Sequence, residues 1–333
     1  MGDRRASLAA LLAFAALSVL PACSTFHPPT ARVRFVPDEE GAAGAPGAPI
    51  AGLDVCAPGG GRELTIDPAR PLTVFVHGCK DSGGRFRELA QVFEAHGQQT
   101  ACFNYDHRDG IDASAGQLAR ALEALERRLQ PGQITLLAHS QGGLVTRRAL
   151  VQERAAPLRS PEGFTYRLFT VSSPFAGIRA SSDCAKTWLH VVTLGVTVLV
   201  CQLAAGDNWR EIPPGSALVA RPGTLVPEVR EVLQVVTDER GSCEVPGPDG
   251  GCRKTGFVFS LGEQHNPAVE ADARLAQREV QAGHVEIVGG DGVAPVKLIA
   301  LLQERGILAR TPPERREEIA RLLARLYGTP GAP

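Results

Sequence analysis

Ser140 lies in the stretch ITLLAHSQGGLVTRRAL, residues 134–150, where an apolar run gives way to a helix-like run. A serine hydroxyl at neutral pH is a poor nucleophile. It becomes a good one when a base takes its proton, a third group orients that base, and donors receive the charge that develops on the attacked oxygen. The local pattern Ala138-His139-Ser140-Gln141-Gly142 departs from the nucleophile-elbow pattern G-x-S-x-G only in the alanine at its first position. Small residues are required there because the serine sits in a strained turn where larger side chains two positions away collide. Without such partners, Ser140 is only a polar residue at a strand-to-helix turn. The candidate partners are His77, His190, His265 or His284, together with a carboxylate such as Asp238, Asp249, Glu263 or Asp291. Any one of these carboxylates could equally be an ordinary solvated surface residue.

The elements that must hold these residues begin at Leu72. LTVFVHG is a continuous apolar run of the buried parallel-strand type. RFRELAQVFEAHG predicts a helix closed by Gly97, and QTACFNYDHR a strand. SAGQLARALEALERRLQPG carries Leu118, Leu122, Leu125 and Leu129 at helical spacing and stops at Pro131-Gly132. QITLLAHS predicts a strand, GGLVTRRALVQE a helix and YRLFTVSSP a strand. This alternation predicts an α/β fold with a mostly parallel sheet and right-handed crossovers.

Farther on, REVLQVVTDERG and GFVFSLGEQ predict two more strands, and PVKLIALLQERGIL a closing helix. TPPERREEIARLLARLYG predicts a separate helix with Thr311 as N-cap, Pro312 in the first turn and Glu314 completing a capping box. Its stripe of Ile319, Leu322, Leu323, Leu326 and Tyr327 is suited to docking on the body. The long apolar stretch from Lys186 to Gly206 contains His190 and Gln202, and is read as a helix over the sheet or a pocket mouth rather than as a membrane span.

The segments VFVHGCKDSGGRFRELAQVFEAHG, FNYDHRDGIDASAGQLARALEAL and LLAHSQGGLVTRRAL, at these spacings, resemble the lipase/esterase branch of the α/β-hydrolase superfamily over roughly residues 70 to 180. The resemblance implies a mostly parallel central sheet flanked by helices with a helical lid or insertion, and cleavage of carboxylic esters through an acyl-enzyme. It implies that the backbone N–H groups of Cys79 and Gln141 form the oxyanion hole. His77, which precedes the serine, is structural by the family's order of serine, acid, histidine. The base is then His284, in a Gly-His loop like the one after the last strand in these lipases, with His265 as the second candidate. His190 reads as a core histidine. The acid is Asp238, at the end of VLQVVTD, with Glu263 and Asp249 as further candidates; Asp291 has no histidine after it. A hydrolase-fold lipoprotein without catalysis and an acyltransferase using the same acyl-enzyme are the competing functions.

Arg4 and Arg5, the apolar run from Leu8 to Leu20 and the ending LPAC resemble a bacterial lipoprotein signal with its lipobox, which implies cleavage before Cys23 and lipidation of its thiol. Ser24 implies an outer-membrane destination. The expected organisation is signal peptide 1–22, flexible tether 23–61, hydrolase domain 62–310 with an insertion at about 180–225, and C-terminal amphipathic helix 311–333. Export implies an oxidising compartment for the eight cysteines. Cys243 and Cys252 flank a turn-rich loop and are expected to pair; Cys79–Cys102 and Cys184–Cys201 are further candidate pairs. The formal net charge of −1 across 333 residues argues against a nucleic-acid partner. The absence of CxxC and the scattered histidines argue against a metal, and no cofactor is expected. The expected partners are an ester or lipid substrate and, through the anchor, a membrane.

Overall fold

The computed structural model describes residues 30–36, 48–57, 63–79, 81–129, 132–181, 206–246, 248, 251–290 and 292–328. Its centre is a seven-stranded sheet. Strands β1 (Arg32–Phe35), β2 (Ala48–Pro49), β3 (Leu53–Asp54) and β4 (Leu64–Ile66) precede β5 (Leu72–Val76), β6 (Gln99–Phe103), β7 (Gln133–His139), β8 (Thr165–Val171) and β9 (Val229–Asp238). A hairpin of β10 (Cys243–Pro246) and β11 (Cys252–Thr255) comes before the last strand, β12 (Leu275–Gln281). The sheet runs β12-β9-β8-β7-β5-β6-β3. All neighbours are parallel except β3, which pairs antiparallel with β6. The order reverses direction between β5 and β7, so their exits lie side by side at the carboxyl edge, where open α/β sheets place their sites.

The main helices are α1 (Arg87–Ala95), α2 (Ile111–Glu126), α3 (Gln141–Ala149), α4 (Val296–Glu304) and α5 (Arg316–Tyr327). Side-chain alternation along the strands builds two cores between them and the sheet. Val74, Val76, Leu136 and Ala138 point to one face, where Leu118 and Leu122 of α2 and Val145 of α3 pack. Phe75, Leu137, Phe169 and Val235 point to the other, against Leu89 and Phe93 of α1 and Leu298 and Leu302 of α4. Because both faces are covered, the central strands are apolar on both faces, with only a threonine or so within each buried run. Gly97 ends α1 at φ 71°, where its N–H reaches Glu94 O and the next N–H reaches Phe93 O.

The structure departs from four expectations. The segment expected as tether is in part folded: β1 pairs with β2 and β4, and Ala31, Val33, Phe35 and Leu53 are buried in the core. Cys102 bonds Cys56, not Cys79. The register explains this, since Cys102 lies opposite Asp54, two residues from Cys56, on one side and opposite Phe75, well short of Cys79, on the other. GFVFSLGEQ does not join the sheet; Leu261–Gln264 is a helical turn, and the last parallel strand is LAQREVQ. Thr311 does not cap α5. Its hydroxyl meets His96 and Gln303, and α5 docks by Ile319 and Tyr327.

Cys243 and Cys252 are bonded across the β10–β11 hairpin. Both disulfides fit an oxidising, extracytoplasmic setting. Cys184 and Cys201 lie outside the described residues, as do Cys23 and most of the apolar stretch before Gly206. Among the described residues, no helix is long and apolar enough to cross a membrane.

The Cys56–Cys102 bond spans a sequence separation of 46 residues and staples the amino-terminal strands to the sheet. Closing a loop of that length is worth about 4 kcal/mol in chain entropy. Replacing both cysteines by alanine should lower unfolding free energy by about 2–4 kcal/mol in a denaturant titration without reductant; an unchanged midpoint would show that packing alone holds the segment.

Candidate active site

Strand β7 delivers Ser140 into its turn. The residue has φ 57° and ψ −128°, a conformation that L-residues other than glycine rarely adopt. Its N–H still bonds Val171 O at 2.9 Å, so the sheet ladder extends into the strained residue. Helix α3 starts at the next position. The Gln141 N–H is therefore one of the first-turn donors with no partner inside the helix, at the positive end of the helix dipole.

The turn leaving β5 lies directly against this elbow. A Cβ on Gly142 would sit 2.4 Å from His77 O and 2.5 Å from Val76 O, and one on Gly78 would sit 2.8 Å from Ser140 Cβ. Only glycine permits the contact, which also brings Cys79, the residue after Gly78, beside the elbow. The Gln141 side chain ties the same region to the loop after β6 by donating to His107 O at 3.0 Å.

His77 is built into this support. Its Nδ1–H donates to Gly78 O at 2.9 Å, its Nε2 accepts from Tyr105 N–H at 3.3 Å, and its carbonyl accepts the Tyr105 hydroxyl at 2.9 Å. The two rings stack at 4.4 Å. With both ring nitrogens used and the side chain buried, desolvation lowers its pKa from 6.5 to about 4.

His284 stands on the opposite side of the elbow. The ring of His139, the residue before Ser140, lies 4.6 Å from its ring, and His139 Nε2–H donates to His284 O at 2.9 Å. Phe259 meets it edge-on at 4.9 Å. His284 Nδ1 is 2.9 Å from Glu239 Oε1, which leaves Nε2 as the nitrogen for a proton from elsewhere. Glu239 is buried yet fully satisfied. Oε1 accepts from His284 and, at 2.8 Å, from Ser172 Oγ; Oε2 accepts the N–H groups of Val258 at 2.6 Å and Phe259 at 2.8 Å. Burial alone would raise its pKa, but the hydrogen bond and charge of His284 and the two backbone donors hold the carboxyl below its ordinary value.

The carboxylate against His284 is thus Glu239 and not the expected Asp238. Asp238 pairs with Arg240, Oδ2 to Nη2 at 2.6 Å and Oδ1 to Nε at 2.8 Å. Alternation at the end of β9 explains the exchange. Residues 238 and 240 share one face and bind each other, while residue 239 faces the other way, toward the end of β8. Glu263 and His265 are engaged elsewhere. Glu263 accepts from Ser260 N–H and Arg179 N–H, and His265 Nδ1 meets Glu270 at 2.7 Å. His190, Asp249 and Asp291 lie outside the described residues.

The geometry that these strands build has relatives. A model for a domain of unknown function, DUF7379, matches residues 59–282. The chain belongs to the DUF7379 family. The matched span of this DUF7379 chain includes Ser140, Ser172 and Glu239 and ends just before His284. No curated protein matches its sequence. Among solved structures, the propeptide form of a Bacillus licheniformis lipase is similar at TM-score 0.51 and 18% identity, over 71% of this chain and 51% of that one. The mature form of that lipase gives 0.48 and 16%, over 72% and 93%. A putative cell surface hydrolase from Lactobacillus plantarum gives 0.43 and 17%, over 76% and 97%. At such identities the likeness is one of fold, and the propeptide-form lipase together with the strand order gives the DUF7379 chain the α/β-hydrolase fold.

Glu239 and Ser172 escape a reading of the sequence alone. Glu239 lies one residue from Asp238, and strand alternation with the Asp238–Arg240 spacing is the signal that could have found it. Ser172, in VSSP, carries no motif.

The neutral, buried His77 makes stability depend on pH. Between about pH 4 and 6.5 the unfolded chain binds a proton that the folded chain refuses, so stability falls as pH drops through that window, and the loss is complete below it. Replacing His77 by Gln should remove about 3 kcal/mol of this loss, read from denaturant midpoints at pH 7 and pH 4. Parallel wild-type and variant curves would refute a buried neutral His77.

Proposed function

We propose that this protein is a serine hydrolase of carboxylic esters, with Ser140 as nucleophile, His284 as base and Glu239 as the acid that orients it. The observation that carries this reading is the buried His284–Glu239 pair set beside a strained serine at a strand-to-helix turn. Ser140 Oγ attacks the ester carbonyl carbon while its proton passes to His284 Nε2. The Nδ1–H bond to the Glu239 carboxylate fixes the tautomer and stabilises the imidazolium. The N–H groups of Cys79 and Gln141 receive the oxyanion, whose charge exists only in the transition state. The C–O bond then breaks as the imidazolium gives its proton to the leaving alcohol. Water repeats the sequence on the acyl-enzyme and releases the acid.

The lipase of similar fold is in keeping with ester cleavage, and the apolar stretch from Trp188 to Leu203 favours lipid-like or aliphatic acyl groups. The LPAC motif supports a lipid anchor at Cys23 and action at the cell envelope, where a tethered esterase meets such substrates at a membrane surface. An acceptor alcohol in place of water would make the same acyl-enzyme an acyltransferase.

Hydrolysis of p-nitrophenyl butyrate tests the assignment. Ser140→Ala should abolish turnover and fluorophosphonate labelling, and Glu239→Gln should lower kcat by roughly 10³-fold or more. Asp238→Asn should stay near wild type; a collapse there with an active Glu239→Gln would return the acid to Asp238. Cys23→Ser should abolish incorporation of radiolabelled palmitate in cells, and persistent label would remove the anchor from the proposal.

A further inference from the structure

Beyond the three residues of that mechanism, two buried hydroxyls touch its charged pair: Thr237 reaches Glu239 alone, at 3.1 Å, and Ser172 reaches both members. Ser172 follows β8 at φ 47° and, with Ser140, is one of two non-glycine residues with positive φ among those described. Its side chain is wholly buried. Ser172 Oγ lies 2.8 Å from Glu239 Oε1 and 2.8 Å from His284 Nδ1, and it accepts the Thr237 hydroxyl at 2.8 Å.

The hydrogens can be assigned without conflict. The one hydroxyl proton of Thr237 goes to Ser172, the nearest of its three acceptors, ahead of Glu239 Oε1 at 3.1 Å and Gln264 Oε1 at 3.3 Å. Ser172 donates to Glu239, and the Nδ1–H of His284 is shared between Glu239 Oε1 and the remaining lone pair of Ser172. Thr237 is held in turn by Gln264. The Gln264 amide accepts Thr237 N–H at 2.8 Å through Oε1 and donates to Thr237 O at 2.8 Å through Nε2. The backbone of Ser172 is pinned as well, with its N–H on Val235 O at 2.9 Å. Rotating the Glu239 carboxylate away from His284 would therefore break the Ser172 bond, and rotating the imidazole would break its contact with the Ser172 hydroxyl.

We propose that Ser172 is a positioning residue that locks the Glu239 carboxylate and the His284 imidazole in one relative orientation, with Thr237 and Gln264 fixing its hydroxyl. The proposal rests on the serine-hydrolase reading for its kinetic effect but not for its structural one. Ser172 is buried away from solvent and acts through its neighbours, so substrate affinity is not its concern. Its unusual backbone is what aims Oγ between two side chains arriving from β9 and from the loop after β12.

Two variants separate the hydroxyl from the backbone. Ser172→Gly relieves the positive-φ strain and Ser172→Ala keeps it, as serine does, but both lack the hydroxyl. Both should lower kcat for p-nitrophenyl butyrate by about 10- to 100-fold with KM unchanged, the range typical when a group orienting a functional histidine is removed. In a Glu239→Gln background either substitution should add little, because residues of one network are not additive. Proton NMR of the 15N-histidine-labelled protein supplies a readout that needs no turnover: the His284 Nδ1–H resonance should shift in both variants. Wild-type kcat and an unmoved resonance in Ser172→Gly would overturn the proposal. A shifted resonance in a protein whose wild type neither hydrolyses the ester nor labels with fluorophosphonate would keep the positioning role and reject the hydrolase reading.

Discussion

The site depends on a backbone-to-backbone contact. The turn after β5 and the elbow after β7 approach so closely that a methyl group on Gly142 would overlap two carbonyl oxygens. Everything the candidate site needs is brought together by that approach. It sets Cys79 beside Ser140, where the first N–H of α3 has no helical partner, and buries His77 beneath the turn as a neutral brace against Tyr105. A close-packed contact of this kind has no slack, so the turn geometry is held by sterics rather than by hydrogen bonds alone.

The second requirement is a carboxylate that remains ionised while buried. Isolated, such a charge would neutralise itself or cost several kcal/mol to hide. Five donor groups lie within hydrogen-bond distance of Glu239: the hydroxyls of Ser172 and Thr237, His284 Nδ1, and the backbone N–H groups of Val258 and Phe259. Those two residues follow the disulfide-closed β10–β11 hairpin, which is a detour in the chain from the carboxylate to the segment that solvates it. Phe259 also places its ring against His284. The hairpin thus contributes to the site from outside it, by returning the chain to the same spot.

How much of this was legible follows from how local each determinant is. The buried strands announce themselves as apolar runs because both of their faces are covered. The elbow is a five-residue pattern, and the late Gly-His follows from chain order. The last strand, LAQREVQ, does not show itself because an edge strand with half-exposed faces needs no apolar run. The strands before residue 61 are two to four residues long within Pro/Gly-rich sequence, and their burial is decided by partners elsewhere, including Cys102. The carboxylate against His284 escaped by one residue. Whether position 238 or 239 faces the histidine depends on the phase of alternation at a strand end, and a one-residue shift exchanges the faces completely.

Two adjacent parallel strands, β7 and β8, both exit through a serine with positive φ. Each such residue costs on the order of 1–3 kcal/mol, a cost tolerated only where the surroundings over-determine the conformation. Here the same ladder does so for both, as Ser140 N–H bonds Val171 O and Ser172 N–H bonds Val235 O. The strain at one strand end is held by the strand beside it, and that strand's own strained serine is held by β9, whose next residue is Glu239. The sheet register therefore transmits orientation laterally, from β9 to β8 to β7, along the line on which Glu239, Ser172 and Ser140 are found. A chain that relaxed either serine into an ordinary conformation would gain local stability and turn its hydroxyl out of that line.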